Sequence, residues 1–382
     1  MNWPLEGIVV VDFSQFLAGP YAALRLLDMG ARVIKVENTA GGDLCRYHYL
    51  SDTRIEGDST LFHAINRGKE SVALDLKTPD GLAAAQRLVA KADVVIQNFR
   101  PGVMARLGLD YEAVRAINPD VIYGSISGYG TKGDWADLPG QDLLAQARSG
   151  IMWLSGNVAD GPVPVGLPIA DISTGANLAM GLLGALFRHA RTGVGALVET
   201  SLLESLAEMQ FEFLTTFLNN GRKLPQRLGS GSAHGYLGAP YGVYETAQGH
   251  LALAMTPLAI LGPALDIDAL TELAGQPDAG FAHREMIHDL IAARLLARRA
   301  DEWETDLGAL DIWCARVLTW PEMIAGPAFR ALDLVSSQSA TEHSSLHFLR
   351  APFSLDGRRQ QVCRAGPSLD ANGAAIRSEF GV

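Results

Sequence analysis

Asp171 has the setting in this sequence that most clearly allows chemistry. It ends the apolar, Pro- and Gly-punctuated run PVPVGLPIAD. Behind it, Ser173-Thr174-Gly175 open a helix-period run with Leu178, Leu182, Leu183 and Leu186 as its apolar positions. One carboxylate therefore stands at the mouth of a helix, where unpaired backbone N–H groups and the positive end of the helix dipole keep it ionised. An ionised carboxylate in a sheltered site is a nucleophile. The plainer reading of the same position is a capping residue. Gln141-Asp142, at the start of the short helical stretch Gln141–Ser149, bring a second carboxylate, whose plain role is a charge at a helix N-terminus. Arg46, Arg67, Lys69, Arg100 and Arg106 fall in or beside loops that flank strands. They are solvated surface charges on the plain reading and a pocket for phosphates on the sharper one. Arg100 and Arg106 follow a strand at the edge where open α/β sheets bind ligands. His63 and His234 are single loop histidines and read as surface or packing groups.

The elements that must position these groups begin with Ile8–Phe13, an apolar, β-branched run of the kind found in buried parallel strands. A loop over Ser14–Pro20, a helix over Tyr21–Met29 stopped by Gly30, and a strand at Arg32–Glu37 complete a β-α-β unit. Strands at Ser71–Leu76, Val94–Gln97 and Val121–Ile126 continue it. Between them come a helix over Leu82–Ala90, begun by Thr78 and Pro79, and short helices at Met104–Leu107 and Tyr111–Ile117. The pattern predicts an α/β fold with a doubly wound parallel sheet. Gly128–Pro139 reads as a glycine-rich loop and Ala196–Thr200 as a further strand. Ser201 and Glu204 form a capping box that opens a long helix over Leu202–Leu218. The loop-like stretch from Asn219 to Gly238 marks a domain boundary. Beyond it, antiparallel strands turning at Gln248-Gly249 and a mostly helical stretch over 257–320 predict a smaller α+β domain. Met323–Arg330 reads as one more short helix, and the weakly periodic tail 331–382 as a segment that packs back on the first domain.

Composition excludes several classes. With 31 basic against 42 acidic residues the net charge is -11, which argues against a nucleic-acid surface. Cys45, Cys314 and Cys363 are far apart, with no CxxC or Cys/His spacing, so neither a disulfide framework nor structural zinc is expected. The opening MNWPLEGIVVVDFSQ lacks the pattern of a secretory signal, and no apolar run of about 18 residues suggests a membrane span. A cytoplasmic location is expected. Glu37 after the second strand resembles the ribose-binding acid of dinucleotide folds. The loop SQFLAGP has no GxGxxG, however, which opposes a nicotinamide oxidoreductase.

Several stretches together resemble the class III (formyl-CoA-transferase-like, CaiB/BaiF) CoA-transferase family. In order they are PLEGIVVVDFSQFLAGPYAALRLLDMGARVIKVE, NRGKESVALDLKTPDG, NFRPGVMARLGLDYEAV, GYG, DLLAQARSG, PIADISTGANLAMGLLGALF and PYGVYETAQGHLAL. The resemblance implies a large Rossmann-like CoA-binding domain over 1–200, completed by 331–382, a linker helix over 201–224, and a small α+β domain over 225–330. It implies an obligate homodimer of interlocked rings. It implies acyl-CoA and a small carboxylic acid as substrates, and no metal or tightly bound cofactor. The family's catalytic aspartate falls on Asp171. Its CoA-contacting loops fall on Gln15–Ala18, on Asn66–Lys69 with Arg67, and on Asn98-Phe99-Arg100 through Arg106, a phosphate-binding position. Arg46 joins this set as a loop cation. The implied mechanism is covalent: a mixed anhydride on Asp171, then an aspartyl-CoA thioester. The loop Gly229-Ser230-Gly231-Ser232 is the candidate for the glycine-rich shield of these intermediates, although it lacks the run of glycines of formyl-CoA transferases. Racemases of the same fold carry a His-Asp pair where this chain has Gln141-Asp142. An amide cannot exchange protons near neutral pH, so Gln141 argues against racemisation and leaves Gln141 and Asp142 as helpers. A non-enzymatic CoA-binding homologue is the remaining alternative, opposed by the intact Asp171.

Overall fold

The computed structural model describes residues 3–47, 53–341, 344–360 and 364–382; Cys363 lies outside the described residues. The chain divides into two compact units, one of 1–149, 166–209 and 333–382, the other of 150–165 and 210–332.

The first unit is built on six strands: β1 Val9–Asp12, β2 Arg32–Glu37, β3 Glu70–Ala73, β4 Val94–Gln97, β5 Ile122–Ser127 and β6 Ala196–Ser201. All pair in parallel, in the order β3-β2-β1-β4-β5-β6. That is the doubly wound order, and its switch point lies between β1 and β4. The helices that matter for the site are α1 Ala18–Leu27, α2 Thr60–Asn66, α3 Pro79–Val89, α4 Val103–Leu107, α5 Tyr111–Ile117, α6 Asp142–Ser149, α7 Ile169–Thr192, α8 Leu202–Met209 and α9 Gly373–Phe380. One face of the sheet packs Val11, Phe13, Ile34, Val72, Val95 and Tyr123 against α3, α5 and α9. The other receives α1 and α7, which lie against each other. The C-terminal segment borders β3: Ser71 N–H donates to Asn372 Oδ1 at 3.1 Å and Ala73 N–H to Asp370 Oδ1 at 2.8 Å.

Helix α7 begins at Ile169, not at Ser173, so Asp171 lies inside the first turn. Pro168 is the cap residue and offers no side-chain bond. The Asp171 N–H is instead taken by Asp142, which lets the turn start early. The 24-residue α7 contains an 18-residue window of mean hydropathy 1.3, long and apolar enough to cross a membrane by length and composition, although Asp171 and Asn177 interrupt its apolar residues. Its Leu178, Leu182 and Leu186 are buried in this unit. The approach of α7 to α1 is closest at Gly175, where a Cβ would lie 2.5 Å from the Ala18 carbonyl oxygen.

Other boundaries also move. Helix α1 begins at Ala18, inside the expected loop. The long helix expected over 202–218 breaks at Gln210, whose ψ of 16° leaves the helical range, giving α8 and the helix Phe211–Asn219. The tail holds an antiparallel hairpin, Val335–Thr341 with Ser344–Leu349, where the sequence reads as irregular.

In the second unit Gly242–Glu245, His250–Leu253 and Cys314–Arg316 form an antiparallel sheet, the last strand unforeseen. Its core joins Leu251 and Leu253 to Ile287, Ile291, Leu295 and Trp303. Gly326 splits the helix expected over 323–330 into Trp320–Ala325 and Pro327–Ala331. Residues 150–165, expected in the first domain, fold here because Arg227 Nη1 donates to the Ser155, Asn157 and Gly161 carbonyls at 2.8, 3.0 and 2.9 Å.

Gly175→Ala is expected to lower stability by about 1–3 kcal/mol, the usual penalty of overpacking against backbone. Urea unfolding followed by circular dichroism measures it, and an unchanged midpoint would deny the close approach.

Candidate active site

Asp171 and Asp142 are brought together by the starts of α7 and α6. Asp142 Oδ2 accepts from the Asp171 backbone N–H at 3.1 Å, and Asp142 Oδ1 accepts from Gln146 Nε2 at 2.6 Å. Gln146 is buried, and its amide nitrogen also donates to the Leu167 carbonyl at 3.2 Å. Asp171 itself is half-buried, and its oxygens accept no hydrogen bond from the described residues. Burial and then the nearby Asp142 carboxylate push the Asp171 carboxyl up to about 7. This corrects the expectation that the helix mouth keeps it fully ionised. The backbone donor at its own position serves Asp142, and desolvation with a like charge outweighs the dipole. A raised carboxyl in a sheltered corner, with no donor on its oxygens among the described residues, differs from a capping residue, whose side chain accepts from backbone N–H groups. Gln141 is exposed and precedes α6.

The loop between β1 and α1 lies at the switch point and is fastened residue by residue. Asp12 Oδ1 accepts from both the backbone N–H and the hydroxyl of Ser14. Lys35 Nζ donates to Ser14 O and pairs with Asp43, each at 2.8 Å. Asn98 Oδ1 accepts from the Gln15 N–H at 2.8 Å, while Asn98 Nδ2 donates to the Gln15 carbonyl at 2.7 Å. Asp43 Oδ1 also takes the Phe16 N–H at 3.2 Å. Lys69 Nζ donates to Pro20 O at 2.9 Å and pairs with Asp12 at 2.8 Å. Phe16 keeps a left-handed backbone at φ 62°, a strained setting for an aromatic residue. Burial works against ionised Asp12, but the Lys69 and Lys35 ammonium groups hold it below its ordinary value. Ala18 is buried at the start of α1.

The expected cations divide into two groups. Arg46 is buried against Glu37 at 2.7 Å and Asp58 at 2.6 Å and lies over the Phe62 ring. Arg67 is paired with Asp28 at 2.7 Å, and Lys69 with Asp12. A buried charge must be paired, so these three act as internal struts, which corrects their reading as open phosphate ligands. Asn66 is fully buried, with neither amide atom bonded among the described residues. Arg100 and Arg106 are exposed and carry no ion pair among the described residues. Arg100 and Phe99 line a cleft of about 340 Å³ with Gly102, Ser125 and Ser127, at the C-terminal ends of β4 and β5, and Arg106 Nη1 lies beside Gly102. Among the described residues no group of three or more His, Cys, Asp or Glu side chains is placed to hold a metal.

In the second unit, Gly229 N–H donates to Glu285 Oε1 at 3.3 Å. Gly231, at φ 60°, sits so close to His288 that a Cβ would lie 2.5 Å from its Nε2. His63 bonds the Ile55 carbonyl at 2.8 Å and His234 accepts from the Tyr236 N–H at 3.1 Å, so both are packing groups.

Asp43, Lys35 and Gln146 are contributors that sequence reading missed. Gln146 had a signal: it follows Asp142 by four residues on a helix, the spacing at which side chains meet.

The strand order, the fastened switch-point loops and the carboxyl pair define a Rossmann-like α/β enzyme. A family model described as CoA-transferase family III matches residues 5–373; the chain belongs to that family and is a transferase. It is 34% identical over 394 residues to succinate–glutarate CoA-transferase of Agrobacterium fabrum, covering 99% of this chain and 96% of the relative. It is 33% identical over 383 residues to acetyl-CoA:oxalate CoA-transferase of Acetobacter aceti, with the same coverages. Among solved structures, a CaiB/BaiF family protein from Brucella suis matches with a TM-score of 0.86 and 33% identity over 100% of both chains. Rv3272 from Mycobacterium tuberculosis matches with a TM-score of 0.85 and 27% identity over 98% of this chain and 99% of that one.

Two outcomes follow. Asp171→Asn removes a carboxyl whose ionised form the fold disfavours. The penalty is absent below the ordinary carboxyl range, where folded and unfolded chains are both protonated, and it grows as pH rises toward about 7. The variant is expected to be more stable than the parent by on the order of 1–3 kcal/mol at about pH 8, with no difference at about pH 3.5, in urea titrations. The buried and exposed cations separate likewise. Lys69→Met is expected to lose about 3–5 kcal/mol of stability by stranding Asp12. Arg100→Ala and Arg106→Ala are expected to leave the unfolding midpoint in place and raise KM for an acyl-CoA about tenfold, an effect that shrinks as salt is added.

Proposed function

We propose that this chain moves CoA from an acyl-CoA thioester to a free carboxylic acid, with Asp171 as covalent carrier. The observation that carries the reading is the Asp171 carboxyl itself: half-buried in the first turn of α7, without a donor on its oxygens among the described residues, and pushed up to about 7 by burial and by Asp142. An Asp171 oxygen attacks the thioester carbonyl, the C–S bond breaks, and the CoA thiolate leaves a mixed anhydride. The thiolate then attacks the Asp171 carbonyl carbon, releasing the donor acid as its carboxylate and leaving an aspartyl-CoA thioester. The acceptor carboxylate attacks that thioester, and the same steps in reverse give the new acyl-CoA and free Asp171. Arg100 and Arg106 serve the phosphates of CoA, and the switch-point loop its thioester end. Exposed Gln141 is no proton carrier, which favours transfer over racemisation at the α carbon.

The relatives' names concern succinate, glutarate, oxalate and mesaconate, so short dicarboxylic acids are the proposed substrates. A homodimer is also proposed. Met180 and Phe187 on α7, and separately Phe211 and Leu218 on the helix Phe211–Asn219, leave large apolar side chains in the open that a second copy would cover.

Incubated with succinyl-CoA and a panel of short dicarboxylic acids, the protein is expected to release free succinate and form a new CoA thioester in equal amounts, read by chromatography. Asp171→Ala is expected to lose more than about a thousandfold in rate while still binding CoA in calorimetry. Full turnover by that variant would refute the covalent route.

A further inference from the structure

We infer that Gln146 is a positioning residue for the transfer reaction: its buried amide clamps Asp142 as an acceptor-only carboxylate onto the first turn of α7 and thereby fixes where the Asp171 carboxyl stands. The inference rests on Asp171 being the nucleophile.

The geometry leaves Gln146 one orientation. The Leu167 carbonyl can only accept, so the amide nitrogen must face it, and the same nitrogen reaches Asp142 Oδ1. Both amide protons are thereby directed, one to α6 and one to the residue that precedes Pro168 and the start of α7. The other Asp142 oxygen receives the Asp171 N–H. An N–H cannot accept, so both oxygens of Asp142 serve as acceptors and each is fixed by its own donor. Gln146 is only 2% exposed, so neither of its bonds can be exchanged for water.

Of the other charged groups on α1, α6 and α8, Glu208 is exposed and three are occupied elsewhere. Arg148 donates to the Tyr129 hydroxyl, Glu204 accepts from Ser201, and Arg25 pairs with Asp28 and lies over the Tyr21 ring. Asp142 is thus the carboxylate that Asp171 faces, and Gln146 is what holds it in place. A glutamine serves here and a glutamate does not: it would bring a third carboxylate against Asp142 and set an acceptor against the Leu167 carbonyl.

The test compares Gln146→Met, Gln146→Glu and Asp142→Asn with the parent, each checked for CoA binding by calorimetry, with kcat and KM measured across pH. Gln146→Met is expected to lower kcat about 10- to 100-fold with KM for the acyl-CoA within about twofold, because the reacting carboxyl is misplaced while the CoA contacts are untouched. In Gln146→Met and in Asp142→Asn alike, the acid limb of kcat/KM is expected to move to lower pH, since Asp171 then faces less negative charge. Gln146→Glu is expected to recover part of its loss relative to the parent as pH falls and its carboxyl regains a proton to donate. Parent-like kcat and an unmoved acid limb in CoA-binding Gln146 variants would overturn the inference. So would an unmoved limb in Asp142→Asn should the Gln146 variants not fold. An active Asp171→Ala would instead remove the reading on which the inference stands.

Discussion

The structure depends on the pairing of charges buried under the C-terminal ends of β1 and β2. Asp12 with Lys69, Asp43 with Lys35 and Glu37 with Arg46 lie almost wholly out of water. Ions in that position are tolerable only with their partners and hydrogen bonds complete, and losing one partner is far more damaging than the pair is stabilising. What the arrangement secures is position. The same groups hold the backbone of Ser14, Phe16 and Pro20, and Asn98 from β4 takes both polar groups of Gln15. The loop leads directly into α1, whose Ala18 carbonyl meets α7 at Gly175, one turn beyond Asp171. On the near side of Gly175, Ile172 packs into the cluster of Leu17, Cys45, Phe62 and Ile65. A continuous chain of contacts therefore runs from the buried ions to the first turn of α7 that carries Asp171, all within one unit.

A second tension sits at the carboxyl itself. Two acids start neighbouring helices, and the fold treats them differently. Asp142 has an N–H donor on each oxygen, and Asp171 has none among the described residues. The acid without donors is pushed up to about 7 by burial and by the facing carboxylate. A nucleophile needs this disparity: a carboxylate bound by several donors is stable and unreactive, whereas one poorly solvated and facing a like charge gains most when it forms a bond to carbon. In the proposed function, local stability is given up for reactivity at Asp171, and the packing of α1, α6 and α7 makes the loss tolerable.

Much of this was legible in the sequence. The alternation of β-branched runs and helix-period segments marks two of the six sheet strands to the residue and three more to within one, because buried parallel strands have little latitude in composition, while the strand expected over Ser71–Leu76 ends earlier, at Ala73. Asp171 was legible as one carboxylate near a helix start. The exact start was not, because the bond that permits it comes from Asp142, distant in sequence. The roles of Arg46, Arg67 and Lys69 were misread for the same reason. A basic residue beside a strand looks the same in sequence whether it faces solvent or a buried acid; Asp28 and Asp12 lie 39 and 57 residues from their partners, and Glu37, nine from Arg46, is brought to it only by the turn after β2. The stretch 150–165 joins the second unit through one guanidinium, Arg227, which no periodicity announces.

The central claim is that Asp171 carries the group covalently, and the most direct measurement follows oxygen. In the proposed sequence an oxygen of the acceptor carboxylate is left on Asp171 when the new acyl-CoA departs. Turnover with an acceptor acid labelled with heavy oxygen on its carboxylate should therefore place the label in the peptide that contains Asp171, found by digestion and mass spectrometry. The account predicts label in that peptide, dependent on the acyl-CoA donor. Complete conversion of the acids with no label on Asp171 would contradict it.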